Sequence, residues 1–221
     1  MKSAALTLLV ALFLASPSPC SGDSALVRQV YDGDTILLAD GRKVRYLGID
    51  APEIDHEGGR SEVLAWEALR FNRRLVKGNS VRLEFDGEKK DRYGRLLAYV
   101  FLPDGGMVNA LLLKHGLAHV LFFPSISNRY REFFLRCQQE AMESGKGLWG
   151  KSVKRIAPYY LGNRRTLRFH TPQCPFGRKT GPRNRIRFKT WREAFAAGYS
   201  PCRRCRPWAL MERSAPSTSG R

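Results

Sequence analysis

The chain has 221 residues, of which 43% are hydrophobic, and a formal net charge of +18. This composition excludes a wholly disordered chain, and the length allows one ordinary domain with a substantial core plus a small appendix. Residues 1–150 carry 20 Lys/Arg and 18 Asp/Glu, whereas residues 151–221 carry 18 Lys/Arg and only two acidic residues, Glu193 and Glu212. The asymmetry predicts two units with different roles, the second attracted to a polyanion. Nucleic acid is the favoured partner, with anionic lipid and cell-envelope polymers as alternatives.

The first 22 residues have the pattern of a secretory signal. Lys2 precedes an apolar segment at residues 4–15, which is too short to span a membrane, and small residues and prolines follow it. We expect cleavage between Ser18 and Gly22 and a secreted or periplasmic mature protein. Lipidation of Cys20 is the alternative, although Pro19 fits that processing site poorly. No other stretch approaches the length of a membrane span, and no pattern indicates oligomerisation, so we expect a monomer.

Five strands and three helices are predicted between residues 25 and 150. Apolar alternation predicts strands at about 26–30, 35–38, 44–49, 81–85 and 96–102, with Asp40-Gly41 as a hairpin turn. Helical periodicity predicts helices at about 61–77, 107–115 and 128–144, and the polar residues 54–61 predict a loop. Cys137 lies on the apolar face of the third helix, where we expect a buried structural thiol.

This order of elements indicates a small barrel with an inserted helix. A linker is predicted at residues 151–162, because Pro158 and Gly162 interrupt the pattern there. A second unit follows at residues 163–207, and the polar residues 208–221 are predicted to form a disordered tail.

Acidic and arginine side chains cluster at the predicted strand ends. Asp34 and Asp50 are separated by a strand and a turn, and two carboxylates with a turn carbonyl make a partial site for a hard cation such as calcium. Arg45 and Arg95 offer the fork of donors that matches phosphate oxygens. Glu53 is suited to orient or deprotonate a water molecule. Residue types alone leave a second interpretation open, because Asp-Gly pairs form ordinary turns and Arg45 suits a solvated strand.

Several motifs resemble the staphylococcal nuclease family in content, spacing and order. They are Asp32-Gly33-Asp34-Thr35, Arg45-x4-Asp50-x-Pro52-Glu53, Asp91-Arg92-Tyr93-Gly94-Arg95-x2-Ala98-Tyr99, Val108-Asn109 and Gly116-Leu117-Ala118. The resemblance covers about residues 25–149. It implies an α+β fold, a five-stranded OB-fold barrel with three helices, and a calcium-dependent nuclease that cuts DNA and RNA to products ending in 3′-phosphate.

The resemblance also implies roles for individual residues. The implied calcium ligands are Asp34, Asp50 and the backbone carbonyl of Ala51. Glu53 is implied as the general base or water-positioning group, and Arg45 and Arg95 as the phosphate ligands.

Three further residues are candidate nucleic-acid contacts in this region. Arg92 and Tyr93 belong to the same motif as Arg95. The family commonly has tyrosines after Gly-Leu-Ala, whereas this chain has the run His119-Val120-Leu121-Phe122-Phe123. We therefore predict that Phe122 stacks on a base, without the hydroxyl that a tyrosine would offer to a phosphate.

Four potential metal ligands lie in the basic third of the chain. His170-x3-Cys174 and Cys202-x2-Cys205 have the spacing of a tetrahedral zinc site. A disulfide plus a free thiol is the alternative, but three cysteines cannot all pair internally. Residues 163–207 resemble the zinc-binding N-terminal domain of the Ada methyltransferase, which implies zinc binding and attraction to a phosphate backbone. His170 stands where that domain has its methyl-accepting cysteine, so methyl transfer is not implied.

Cationic residues fill the interval between these ligands. Candidate nucleic-acid contacts there are Arg178, Arg183, Arg185 and Arg187. Such a surface is expected to bind phosphates with strongly salt-dependent affinity and to tether the nuclease to its substrate. The alternative for the whole chain is a noncatalytic OB-fold that only binds nucleic acid. The joint presence of Asp34, Arg45, Asp50, Glu53 and Arg95 favours the enzyme.

Overall fold

The computed structural model describes residues 23–123, 129–150 and 157–207. The predicted signal, the first part of the predicted linker and the predicted tail lie outside these residues. In chain order, the strands of the first unit are β1 (Asp23–Val30), β2 (Thr35–Leu38), β3 (Lys43–Tyr46), β4 (Ile49–Asp50), β5 (Ser80–Glu84), β6 (Leu96–Phe101) and β7 (His119–Val120).

Five of these strands close into a barrel in the order β1-β2-β3-β6-β5, which confirms the predicted architecture. Neighbouring barrel strands are antiparallel except β3 and β6, which run parallel. The predicted turn at Asp40-Gly41 joins β2 to β3, and Gly41 has the positive φ of 89° that a tight hairpin favours. The two short strands β4 and β7 pair beside the barrel.

The third predicted strand, at residues 44–49, is split in the structure. Gly48 adopts a φ of 81°, and a Cβ at this position would lie 2.8 Å from the ring of Phe134. The chain therefore turns sharply after β3, and only glycine fits the turn. As a result Asp50 lies in β4, opposite His119 of β7.

Three helices accompany the barrel: α1 (Ala65–Val76), α2 (Val108–Lys114) and α3 (Arg131–Glu143). The first begins four residues later than predicted. The N–H of Glu62 donates to the carbonyl of Glu53 at 2.9 Å, and Leu64 has a φ of 69°, so residues 61–64 fold back along the loop instead of continuing the helix. This return fixes the loop that carries Glu53. Cys137 of α3 is 1% exposed, which confirms the predicted buried thiol.

The C-terminal unit is a small sheet with two short helices. Its strands are β8 (Tyr160–Asn163), β9 (Arg168–His170), β10 (Arg185–Phe188) and β11 (Ser200–Pro201), and its helices are α4 (Pro175–Arg178) and α5 (Trp191–Ala196). The strand order is β10-β8-β9-β11. Residues 160–162 were predicted to belong to the linker, but they form β8 and pair with both β9 and β10. That end of the predicted linker is therefore wrong.

A shared apolar core joins the two units. Trp149, at the end of the first unit, packs edge-on against Phe195 of α5, with ring centroids 4.9 Å apart. Gln138 of α3 accepts a hydrogen bond from the N–H of Val120 and donates one to the carbonyl of Phe195, both at 2.9 Å. Because Gln138 is fully buried, these bonds fix β7 and α5 relative to each other. The C-terminal unit is thus packed against the barrel.

Candidate active site and metal centre

Two aspartates of the barrel rim meet at one arginine. Arg45 of β3 lies 2.9 Å from Asp34 through Nη1 and 2.6 Å from Asp50 through Nη2. Asp34 precedes β2, whose first residue, Thr35, pairs with Arg45 across the strands. The three side chains are each at most 9% exposed. The structure therefore brings together both predicted aspartate ligands and one of the two predicted phosphate ligands.

Close backbone approach makes this meeting possible. The N–H of Ala51 donates to Oδ2 of Asp34 at 2.6 Å. A Cβ at Gly33 would lie 2.6 Å from the Cβ of Ala51 and 2.7 Å from that of Ala68. Real Cβ atoms do not approach so closely, so Gly33 is required for the turn to reach the β4 segment and α1. The Asp-Gly-Asp run thus has a packing role as well as a turn role.

The two carboxyl groups share Arg45, but their pKa values shift in opposite directions because their other charged neighbours differ. Burial raises the pKa of Asp34 well above its ordinary value, and Asp32 and Asp50 raise it further against the attraction of Arg45. Burial also acts to raise the pKa of Asp50, but Arg45, His119 and Arg203 outweigh it and bring that pKa below its ordinary value. Repulsion among Asp32, Asp34 and Asp50 contributes to the raised pKa of Asp34, and either a proton on Asp34 or a further cation would relieve it.

Glu53 stands at the mouth of this site. Its side chain is 53% exposed, and its N–H is held by Oε2 of Glu62 at 3.0 Å. Partial burial raises the pKa of Glu53, and the nearby Asp32 and Asp50 carboxylates add to the rise. A solvent-facing carboxylate on a fixed loop is suited to hold a water molecule.

Two residues at the site were not predicted from the sequence. His119 of β7 is 7% exposed, and its Nε2 lies 4.0 Å from Asp50. Arg203 of the C-terminal unit contacts Asp50 at 3.1 Å and Glu53 at 3.4 Å. His119 was visible only as a departure from the family pattern. Nothing in the sequence distinguishes Arg203 from Arg204 or Arg206.

The second predicted phosphate ligand, Arg95, lies in a separate turn. Its Nε and Nη2 both bond Oδ2 of Asp91 at 2.8 Å, so the guanidinium has a fixed direction. Arg92 donates to the hydroxyl of Tyr93 at 2.6 Å, and Tyr93 is 68% exposed. The central guanidinium carbons of Arg92 and Arg95 lie 4.8 Å and 5.5 Å from the centroid of this ring. Arg95 makes no recorded contact with Asp34, Asp50 or Glu53 in the part of the chain that the structure describes.

The predicted stacking role of Phe122 is wrong. Its side chain is 2% exposed and lies in the barrel core. The guanidinium of Arg131 covers the ring, with its central carbon 4.6 Å from the ring centroid. A ring packed in this way has no free face for a base. The neighbouring Phe123 is 40% exposed.

The four predicted zinc ligands come together in the C-terminal unit. Their ligand atoms, from His170, Cys174, Cys202 and Cys205, all lie within 4.8 Å of one another. Nδ1 of His170 is 3.4 Å from the Sγ of Cys174, and the three cysteines are free thiols. Zn–S bonds of about 2.3 Å place tetrahedral sulfur ligands about 3.8 Å apart, so the cluster fits zinc with little movement. The disulfide alternative is not favoured.

The four predicted arginine contacts of the C-terminal unit, Arg178, Arg183, Arg185 and Arg187, are all exposed. Arg185 also has a structural role, because its guanidinium donates to the carbonyls of Thr180 and Arg178. Arg187 lies 4.0 Å from the centroid of the Tyr159 ring. The surface therefore combines solvated cations with an aromatic face.

The donors at the barrel rim fit a hard cation. Asp34 and Asp50 supply carboxylate oxygens around one point, and calcium takes such oxygens together with carbonyls and water. The four-ligand cluster is the one group of three or more His, Cys, Asp or Glu side chains with metal-binding geometry among residues 23–123, 129–150 and 157–207. A cation at the rim would therefore rely on two carboxylates completed by backbone carbonyl and water oxygens.

Two known families match adjacent parts of the chain. Residues 43–151 match the staphylococcal nuclease homologue family, and residues 155–207 match the metal binding domain of Ada. The described ranges contain no helix that is both long enough and apolar enough to cross a membrane.

Three curated relatives are similar to this chain. The chain is 39% identical over 140 residues to a thermonuclease of Staphylococcus intermedius, covering 62% of this chain and 82% of that protein. It is 40% identical over 125 residues to the endonuclease YncB of Bacillus subtilis, covering 55% and 59%. It is 38% identical over 126 residues to a thermonuclease of Staphylococcus hyicus, covering 56% and 73%. The chain therefore belongs to the staphylococcal nuclease family, and it carries a C-terminal domain that matches the metal binding domain of Ada.

Proposed function

We propose that this protein is an exported, calcium-dependent nuclease that hydrolyses DNA and RNA to products ending in 3′-phosphate, and that its zinc-stabilised C-terminal unit holds nucleic acid. Family membership and the thermonuclease and endonuclease relatives support a hydrolase that acts on phosphodiester bonds. The convergence of Asp34, Arg45, Asp50 and Glu53 at one barrel rim carries the proposal. A protein that only bound nucleic acid would have no need of buried carboxylates there.

The metal would be held by Asp34, Asp50 and the backbone carbonyl of Ala51. Bound calcium would supply positive charge beside the scissile phosphate and make a coordinated water more acidic. The excess of carboxylates over guanidinium groups around Arg45 supports this assignment, because a divalent cation would relieve their repulsion.

Three side chains would then carry the hydrolytic step. Glu53 takes a proton from the water whose oxygen attacks phosphorus. Arg45 and Arg95 donate to the non-bridging phosphate oxygens, where negative charge grows in the transition state. The bond from phosphorus to the 5′-oxygen then breaks, Arg95 donates a hydrogen bond to the leaving oxygen, which takes a proton from solvent, and the phosphate stays on the 3′-oxygen. Fixed guanidinium groups suit this role, since both arginines are held by neighbouring carboxylates.

The C-terminal unit would increase the local concentration of polymer beside the site. Its exposed arginines support binding through phosphates, and its packing against the barrel keeps them attached to the unit that carries the site. Zinc on His170 and the three cysteines would be structural, because four protein ligands leave no open position.

Product analysis tests the reaction. Purified protein is incubated with DNA and, separately, with RNA in the presence of calcium, and the product ends are mapped. We expect DNA fragments that a polymerase extends only after phosphatase treatment, because a 3′-phosphate blocks extension. Fragments that are extended directly would exclude 3′-phosphate products, and intact RNA would restrict the enzyme to DNA.

Export is tested by the mature N-terminus. Residues 1–22 have the pattern of a secretory signal, which supports removal between Ser18 and Gly22. We expect protein recovered from a secreting host outside the cytoplasm, with a mass that lacks this segment. Full-length protein retained in the cytoplasm would exclude export.

A further inference from the structure

Arg203 links the C-terminal unit to the nuclease site. Its Nη2 contacts Oδ1 of Asp50 at 3.1 Å, Oδ2 of Asp50 at 3.3 Å and Oε1 of Glu53 at 3.4 Å. These partners are about 150 residues away in the chain. The contact exists only because the second unit is packed beside the barrel rim.

A cleft opens between the two units at this point. It has a volume of about 440 Å³. The barrel contributes Asp50 and Glu53 to its lining, and the C-terminal unit contributes Pro201, Arg203 and Arg206. Carboxylates and arginines therefore line the same cleft, with Arg203 in contact with Asp50 and Glu53. A phosphodiester that reached Asp50 and Glu53 through this cleft would pass Arg203.

The backbone around Arg203 is held from both sides. The hydroxyl of Ser200 donates to the carbonyl of Val120 at 2.9 Å, which ties β11 to the barrel unit. The N–H of Arg206 donates to the carbonyl of Cys202 at 2.9 Å, which closes a turn around Arg203. The potential zinc ligands Cys202 and Cys205 lie within two residues of it on either side. Zinc on these ligands would fix the turn that presents the guanidinium to the cleft.

We propose that Arg203 is a third phosphate-binding arginine of the nuclease site, contributed by the zinc unit. This inference rests on the proposed function. Arg203 differs from Arg45 in exposure, since its side chain is 66% exposed whereas that of Arg45 is 9% exposed. All its recorded carboxylate contacts use one nitrogen, and they are longer than the 2.6 Å contact between Arg45 and Asp50.

This geometry suits a guanidinium that contacts the carboxylates through one nitrogen and a phosphate through the others. The remaining edge of the Arg203 guanidinium is free to donate to phosphate oxygens in the fork arrangement that arginine favours. The side chain of Arg203 is 66% exposed, so its contact with Asp50 leaves most of the guanidinium accessible to a substrate. Arg203 thus stands at the mouth, where the substrate arrives.

A matched pair of substitutions tests the proposal. Arg203→Ala is compared with Arg204→Ala in the full, zinc-loaded chain, because Arg204 is the next residue and its guanidinium lies 5.4 Å from the Phe176 ring, away from the site. We expect Arg203→Ala to lower kcat/KM for a short oligonucleotide about 10- to 100-fold. Arg204→Ala should retain the wild-type value, and both variants should retain zinc.

Binding provides a readout that does not depend on cleavage. In a Glu53→Gln background with calcium, addition of Arg203→Ala should weaken binding of the same oligonucleotide by about tenfold or more, the loss expected for a charged hydrogen-bond donor. Addition of Arg204→Ala should leave the Kd unchanged. Arg203→Lys should recover part of the affinity, since it restores the charge without the fork.

Two results would overturn the proposal. If Arg203→Ala matched Arg204→Ala in kcat/KM and Kd, the contact would be only a surface ion pair. If Arg203→Ala cleaved faster and required less calcium, Arg203 would be blocking the carboxylates. Absence of calcium-dependent cleavage by the wild-type protein would instead count against the proposed function, and the binding comparison would still decide the role of Arg203.

Discussion

The barrel and the C-terminal unit differ in how their arginines are placed: those of the barrel site are paired with carboxylates, and most of those in the C-terminal unit face solvent. In the barrel, the buried Arg45 is matched by two aspartates, and Arg95 is matched by Asp91. Residues 157–207 contain a single acidic residue, Glu193, and most of their arginines are exposed. Fixed, paired charges can position a single scissile phosphate, whereas solvated cations attract a polymer with little preference for position. Arg203 combines the two arrangements, because it belongs to the C-terminal unit and is exposed, yet it contacts Asp50 and Glu53 of the barrel.

Substitution of Glu53 should have the largest effect, because it should abolish most cleavage and leave the C-terminal unit unchanged. Glu53→Gln is expected to lower kcat about 10²- to 10⁴-fold, because the water loses its proton acceptor. Initial rates on a short oligonucleotide measure this change. Since Glu53 is exposed, the unfolding temperature and the zinc content should stay at wild-type values. Near-normal cleavage by the folded variant would remove Glu53 from the mechanism.

Substitution of Arg45 should affect stability, in contrast to substitution of Arg95. Arg45→Ala leaves two buried carboxylates without their partner, and we expect the free energy of unfolding to fall by about 3–5 kcal/mol in calcium-free buffer. Arg95→Ala breaks a partly exposed pair and should cost about 0–1 kcal/mol, while it still lowers the cleavage rate. Urea unfolding measures both values. Equal stability of the two variants would contradict the paired-charge account of the rim.

Removal of a potential zinc ligand tests whether zinc stabilises the C-terminal unit and positions Arg203. Cys205→Ser is expected to lose zinc, measured by elemental analysis, and to unfold at a lower temperature. Cys137→Ala is the matched control, because Cys137 is buried in α3 and should not affect zinc content. Addition of Arg203→Ala to Cys205→Ser should then have little further effect on kcat/KM, since both changes remove the same contact. Zinc retention by Cys205→Ser, or full additivity, would separate Arg203 from the metal.

The smallest expected effect concerns the solvated arginines. Arg183→Ala with Arg187→Ala should make the slope of log K against log salt about 1.8 less steep for duplex DNA, if each arginine meets one phosphate. Arg73→Ala with Arg74→Ala, on the exposed face of α1, removes the same charge from the barrel unit and serves as the control. An equal change in both double variants would show that total charge, and not this surface, determines binding.

Local patterns were sufficient to predict the barrel. The Asp40-Gly41 hairpin and the apolar alternation of the strands depend on neighbouring residues, so they can be read along the chain. The four-ligand cluster was also predictable, because its paired spacing is specific. The break at Gly48 was missed, since it depends on the ring of Phe134, which is distant in sequence.

Tertiary contacts were not predictable from the sequence, either within the barrel unit or between the two units. Phe122 and Phe123 are adjacent and alike, and only the tertiary packing under Arg131 determines which one is buried. Arg203 resembles its neighbours Arg204 and Arg206, and its proximity to Asp50 requires the docked arrangement of both units. The identification of the rim site rested on family spacing, because Asp-Gly turns alone have an ordinary structural explanation.

Restoring calcium to calcium-free protein tests whether cleavage takes place at the barrel rim. Zinc-loaded protein is freed of calcium, its zinc content is checked, and the rate on a short oligonucleotide is followed while calcium is added. We predict no measurable cleavage before addition and a saturable rise afterwards, with zinc content constant throughout. Cleavage that is already complete without calcium, or that depends on zinc alone, would contradict catalysis at the barrel rim.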